Sequence, residues 1–187
     1  MMKNKLVLSA IITAIFAISC QSNRKEIPEG SKLFNLTDYF SGQIKALEKS
    51  KTPLTKTILN KGKTETVRIE NVDWKTELKP FTEIDLNKPA VYLSYKADSV
   101  VNGTKTIIHY AAKDSTPLLR DMMIHMDHHI PDSIIIRKVI SNSYVSSDEI
   151  LKYTGQGNFE IHVNNVPGIG KDIQFVLKAV SGAPSQP

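Results

Sequence analysis

The sequence predicts an α+β domain: two N-terminal helical segments packed on one face of a curved antiparallel β-meander that rolls towards a half-barrel. Three observations predict it. Leu33, Leu36, Phe40, Ile44 and Leu47 recur at spacings of 3, 4, 4 and 3, which is one apolar helical stripe. From Ala90 onward the apolar period drops to two. Turn-forming pairs such as Asn102-Gly103 punctuate that second half at short intervals. A sheet with one wide apolar face needs a covering layer, and the N-terminal helices supply it.

The chain begins with a leader, residues 1–19. Lys3 and Lys5 form a basic start, and Leu6 to Ile18 is apolar except for Ser9 and Thr13. A basic start, an apolar run and a small-residue exit make a secretory signal. A helix of the 14 residues from Leu6 to Ser19 rises only about 21 Å, short of the roughly 30 Å hydrocarbon core, so it does not read as a permanent membrane span. Ala17-Ile18-Ser19-Cys20 closes the leader, and Cys20 is the only cysteine. This tetrapeptide resembles the lipobox of bacterial lipoproteins, with Ala17 where leucine is usual. The resemblance implies cleavage before Cys20, acyl chains on its thiol and new amino group, and a permanent membrane anchor. A single cysteine builds no internal disulfide in an exported chain, which agrees with a thioether there. Gln21, in place of Asp, resembles lipoproteins sorted to an outer membrane. The single acid in Ser22 to Glu26 is unlike the acidic cluster of surface-exported ones, so the domain is expected to face the periplasm.

Composition narrows the classes of partner. Of the 24 basic side chains the leader holds two and of the 19 acids none, which leaves 22 against 19, or +3, on the mature chain. No run of five basic residues occurs, and with export this argues against nucleic-acid binding. Removing 19 of the 187 residues leaves 168, enough for one domain with a core that needs no staples.

Residues 20–31 are polar with Pro28 and Gly30 and read as a tether that holds the domain up to about 30 Å from the bilayer. The domain spans residues 32–181. Thr37 or Asp38 is expected to cap the first helix, lysines 45, 49 and 51 suit its C-terminal dipole, and Pro53 stops it. Thr55–Leu59 and Thr64–Ile69 flank a Gly62-bearing turn and read as a β-hairpin. Gly62-Lys63-Thr64 lacks the glycine five residues earlier that a phosphate loop needs, since that position is Thr57. Trp74, Leu78 and Phe81 form a second, short stripe behind Asp73 as cap, and Pro80 kinks or ends it near Lys79.

Strands are then expected from Ala90, with Val91, Leu93 and Tyr95 in phase; at Thr104–Ala111; at Leu118–His129, turned by Pro131-Asp132; at Ser133–Tyr144, broken by Ser146 to Asp148; at Glu149–Tyr153; at Phe159–Asn164; and at Asp172–Val180. Residues 182–187 read as a frayed tail.

Trp74, Glu77-Leu78, Phe81, Ile84-Asp85 and Asn87-Lys88-Pro89 form a W-x-x-E-L-x-x-F-x-x-I-D-x-N-K-P stretch. It resembles a stretch that recurs in uncharacterised small lipoproteins of Bacteroidota. The resemblance implies the location already read from the leader and no activity. The helix-on-sheet layout also resembles the lipoprotein carriers of the Lol system, by architecture only.

One constellation has metal-ligand residue types. On a strand, Met122, Ile124 and Met126 point one way and Asp121, Met123, His125, Asp127 and His129 the other. Next-but-one neighbours stand about 7 Å apart, and two such ligands with a third from a facing strand, His109 or His162, would suit zinc or copper. The competing reading is a solvated strand face, and it is preferred: no metal site is assigned. No G-x-S-x-G elbow, H-E-x-x-H or C-x-x-C occurs, and no catalytic residue or cofactor is assigned. The expected function is therefore non-enzymatic: a lipid-anchored envelope module that binds a protein partner or supports envelope structure. The alternative is a carrier of lipid or another apolar ligand held between helix and sheet.

Overall fold

The computed structural model describes residues 24–28, 31, 33–88, 91, 93–142, 144–167 and 172–182. The fold is α+β, a curved ten-stranded antiparallel sheet that is not closed, with a few helices on one face. Its strands are β1 (Arg24–Glu26), β2 (Leu54–Asn60), β3 (Lys63–Ile69), β4 (Tyr95–Asn102), β5 (Lys105–Ala112), β6 (Leu119–Asp127), β7 (Ile130–Ser141), β8 (Val145–Tyr153), β9 (Phe159–Pro167) and β10 (Ile173–Ser181). The helices are α1 (Leu36–Ser50), α2 (Trp74–Glu77) and α3 (Lys79–Thr82). The spatial order is β1-β4-β5-β6-β7-β8-β9-β10-β2-β3. Strands β4 to β10 are the expected meander; the β2–β3 hairpin joins its far edge, and β1 joins its near edge.

The meander works because one register row is apolar across eight strands. Ala97, Tyr110, Met122, Ile136, Leu151, Ile161, Leu177 and Ile58 sit opposite one another in turn. The adjacent row runs Ile108, Ile124, Ile134, Tyr153, Phe159 and Ala179. Side chains alternate across a strand, so both rows share the inner face, and this is the face that α1, α2 and α3 cover. Phe40 of α1 lies 5.0 Å, centroid to centroid, from Tyr153, and Phe81 of α3 lies 5.9 Å from Phe159.

Several expectations are corrected at their edges. Asn35, not Thr37 or Asp38, caps α1: its Oδ1 accepts the Asp38 N–H at 3.1 Å. Leu33 belongs to the apolar stripe but lies before the helix, its N–H donating to Asn87 Oδ1 at 3.0 Å. Asp73 does cap α2, accepting the Thr76 N–H at 3.1 Å, and Leu78 separates α2 from a third short helix that opens on Lys79-Pro80. The strand expected from Ala90 begins only at Tyr95; Val91 is in a helical turn and Leu93 is exposed.

Three further differences arise from pairing. Strand β6 ends at Asp127, and the turn is His128-His129, both with positive φ (49° and 65°); Pro131 belongs to β7. Ser146 to Asp148 do not break a strand but lie inside β8, where Ser147 is buried on the inner face. Arg24–Glu26, within the stretch read as tether, is an edge strand paired to Asp98–Val100 of β4. The tail beyond Gly182 lies outside the described residues.

Candidate functional site

The histidine constellation is dispersed by the fold. His125 lies on the outer face of β6, half-buried, opposite Ile107 and Ser133. Asp127 ends the strand, and hydrogen bonding from Thr104 holds its carboxyl below the usual carboxylate range, with His128 adding to the effect. His129 is in the turn, so the alternation that would have aligned it with His125 stops two residues short. His162 is on β9, three strands from β6, or about 14 Å at the usual strand spacing. Among the described residues no three His, Cys, Asp or Glu side chains converge to hold a metal.

His109 belongs instead to a ladder of Arg, Asp and His side chains across six strands of the outer face. Arg24 of β1 donates two bonds to Asp98 of β4, at 3.0 and 2.9 Å. His109 of β5 faces Asp98 through Nδ1 at 3.7 Å and Asp121 of β6 through Nε2 at 3.2 Å. Asp121 sits opposite Arg137 of β7, which donates two bonds to Asp148 of β8 at 3.1 and 2.6 Å. The guanidinium beside each holds the Asp98 and Asp148 carboxyls below the usual range. Sequence reasoning found His109 and Asp121 but took Arg24 for tether and Asp148 for a strand break; only cross-strand pairing brings them together. Exposed apolar side chains Ile107, Met123 and Ile150 sit among these groups, and Leu59 of β2 lies farther along the same face. The outer face thus sets apolar groups among paired polar side chains.

The space between helix and sheet is filled. Tyr39, Phe40, Phe81, Tyr153 and Phe159 make ring contacts at 5.0 to 6.2 Å. The Tyr153 hydroxyl donates to Gln43 Oε1 of α1 at 2.9 Å and accepts the Gly157 N–H at 3.1 Å. Burial raises the tyrosine hydroxyls of this layer above their ordinary range, Tyr39 to about 12. Room remains at one end of the sheet. A cleft of about 500 Å³ opens between the segment after α3 and strands β4, β6 and β7. Ile84, Leu86, Val91, Leu118 and Leu119 line it with aliphatic groups, and its polar half includes five charged side chains, Glu83, Asp85, Lys88, Asp114 and Lys138. Lys138 pairs with Glu149 at 2.6 Å, and the Tyr95 hydroxyl donates to the Leu119 carbonyl at 3.1 Å.

Cys20, the expected lipid attachment residue, lies outside the described residues. No helix among the described residues is long and apolar enough to cross a membrane. No protein-family model, curated protein or solved structure matches this chain.

Proposed function

We propose that this chain is a bacterial envelope lipoprotein, anchored by acyl chains on Cys20 to the outer membrane and facing the periplasm, whose folded domain binds a protein partner without catalysing a reaction. Its kinship with the small Bacteroidota lipoproteins is part of the same proposal. The anchor rests on one observation: a short basic-then-apolar leader that ends in Ala17-Ile18-Ser19-Cys20. The binding role is supported by where the fold puts its apolar surface. The helix–sheet interior is occupied by rings, whereas the outer face leaves Ile107, Met123, Ile150 and Leu59 exposed. Labelled palmitate should enter the protein in a bacterial host and fail to enter a Cys20→Ala variant. Equal labelling of the two, or no labelling of either, removes the anchor.

A second reading, a carrier of lipid or another apolar ligand, is favoured by the cleft beside Tyr95 and Leu118. Its volume falls within the range of small-molecule sites, and Ile84, Leu86, Val91, Leu118 and Leu119 give it an aliphatic wall. Native mass spectrometry of residues 21–187 purified from cells separates the two. Retained lipid that is lost in a Leu118→Asp variant supports the carrier; a bare domain leaves the partner-binding module.

A further inference from the structure

The register of β1 carries an orientation. Its three residues pair antiparallel with β4, Arg24 opposite Val100 and Glu26 opposite Asp98, so the chain enters the sheet from the Asn102-Gly103 end of β4. The Ile27 N–H, donating to the Ala97 carbonyl at 2.9 Å, and the two-pronged Arg24–Asp98 pair hold it there. Only residues 21–23 separate Arg24 from Cys20. Four extended steps reach at most about 14 Å, against the roughly 30 Å that a free tether through residue 31 would allow. The headgroup layer is itself about 6 Å deep on each side of the hydrocarbon core.

The same end of the sheet carries a second hairpin tip. The His128 N–H donates to the Thr104 carbonyl at 3.0 Å, and Asp127 pairs with Lys105, so the β4–β5 and β6–β7 turns stand side by side. Ile130 of β7 is 69% exposed at the β6–β7 tip and Val101 of β4, three strands away, is 47% exposed at the β4–β5 tip, while Lys105 stands opposite the Asp127 carboxylate. The opposite end, with Tyr144, lies a full β7 away, about 40 Å for its 12 residues.

Building on the anchoring reading above, we infer that the β4–β5 and β6–β7 hairpin tips dock on the phospholipid leaflet that holds the Cys20 acyl chains. Ile130 and Val101, one from each tip, enter the boundary between headgroups and acyl chains. The sheet then stands on the membrane by one end, with the far part of the outer-face ladder, Arg137 and Asp148, and the cleft held clear of it.

Hydrogen–deuterium exchange on the full mature protein tests this, in vesicles of phosphatidylethanolamine and phosphatidylglycerol, with intact mass recording the acyl chains. Amides of residues 101–105 and 127–131 should exchange several-fold more slowly in vesicles than in the vesicle-free Cys20→Ala chain, while those around Asn142 and Tyr144 keep their rates. An Ile130→Asp variant should lose the slowing with its melting temperature unchanged, and Tyr144→Asp should retain it. An acylated protein whose tips exchange as fast as the vesicle-free chain overturns the docking alone. A native chain without acyl groups overturns the anchoring reading and the docking with it.

Discussion

A β-carbon on Gly157 would lie 2.7 Å from Cη2 of Trp74 and 2.9 Å from its Cζ3. The indole of α2 therefore rests directly on the backbone of the β8–β9 turn. The same glycine has φ +81° and donates its N–H to Tyr153, which reaches on to Gln43 of α1. One turn thus joins α1, α2 and two strands.

Gly157→Ala should destabilise the domain by about 2–4 kcal/mol, through overpacking against Trp74 and a left-handed backbone that a β-carbon disfavours. Gly155→Ala is the control: its φ is +77° but open space surrounds it, so only the backbone cost of about 1–2 kcal/mol applies. Urea unfolding followed by Trp74 fluorescence reads both. Equal midpoints for the two variants would show that the indole contact has no role.

Tyr153→Phe keeps the ring contacts and removes the hydroxyl. The Gly157 N–H is then left without its acceptor, and the expected loss is about 1–3 kcal/mol. A Tyr153→Phe midpoint equal to the parent's would mean that Gly157 finds another acceptor.

Burial raises the Tyr39, Tyr95, Tyr110 and Tyr153 hydroxyls, Tyr39 to about 12. A raised value means that the folded state favours the neutral phenol. The stability this contributes is complete below the unfolded value near pH 10 and is lost as pH climbs towards 12. Urea midpoints at pH 8, 10, 11 and 12 should be level at first and then fall. A midpoint that rises above pH 10 contradicts the burial of these hydroxyls.

Lys56 and Glu77 meet at 2.9 and 3.1 Å with side chains only 21% and 16% exposed, and they tie β2 to α2. Glu77→Gln strands a half-buried ammonium and should cost about 2 kcal/mol, whereas the double variant Lys56→Met, Glu77→Met should stay within about 1 kcal/mol of the parent. A double-mutant cycle in urea decides it; additive losses would mean that the two charges act independently.

Arg24→Gln should free β1 with little effect on the rest, since solvent screening leaves exposed ion pairs with a small share of stability. Trypsin should cut after Lys25 faster in this variant at an unchanged melting temperature. The Asp98 carboxyl is held low by Arg24, so the clasp is complete above the usual carboxylate range and opens as pH falls through the folded value. Amide exchange of β1 should therefore quicken on acidification; slower exchange at low pH would reverse the sign.

By itself the sequence determined what is local. The helix stripe from Leu36 to Leu47, the hairpin around Gly62, the Asn102-Gly103 turn and the helix end just before Lys79-Pro80 each follow from periodicity or turn chemistry within a dozen residues. The inner-face assignment of Met122 and Ile124, and of Phe159 and Leu177, follows from the two-residue period. Tertiary structure decided what depends on partners far along the chain. Arg24 becomes a strand because Asp98, 74 residues away, holds it, and no pattern near residue 24 signals that. His129 leaves the row of His125 because the β6–β7 pairing places the turn at His128-His129 rather than at Pro131. Ser146 to Asp148 look like a turn, yet extend because Ile140 and Asn165 flank Ser147 on both sides. The physical reason is common to all three. A backbone group that must pair across a sheet takes its conformation from the neighbouring strand, and local propensity yields to that pairing.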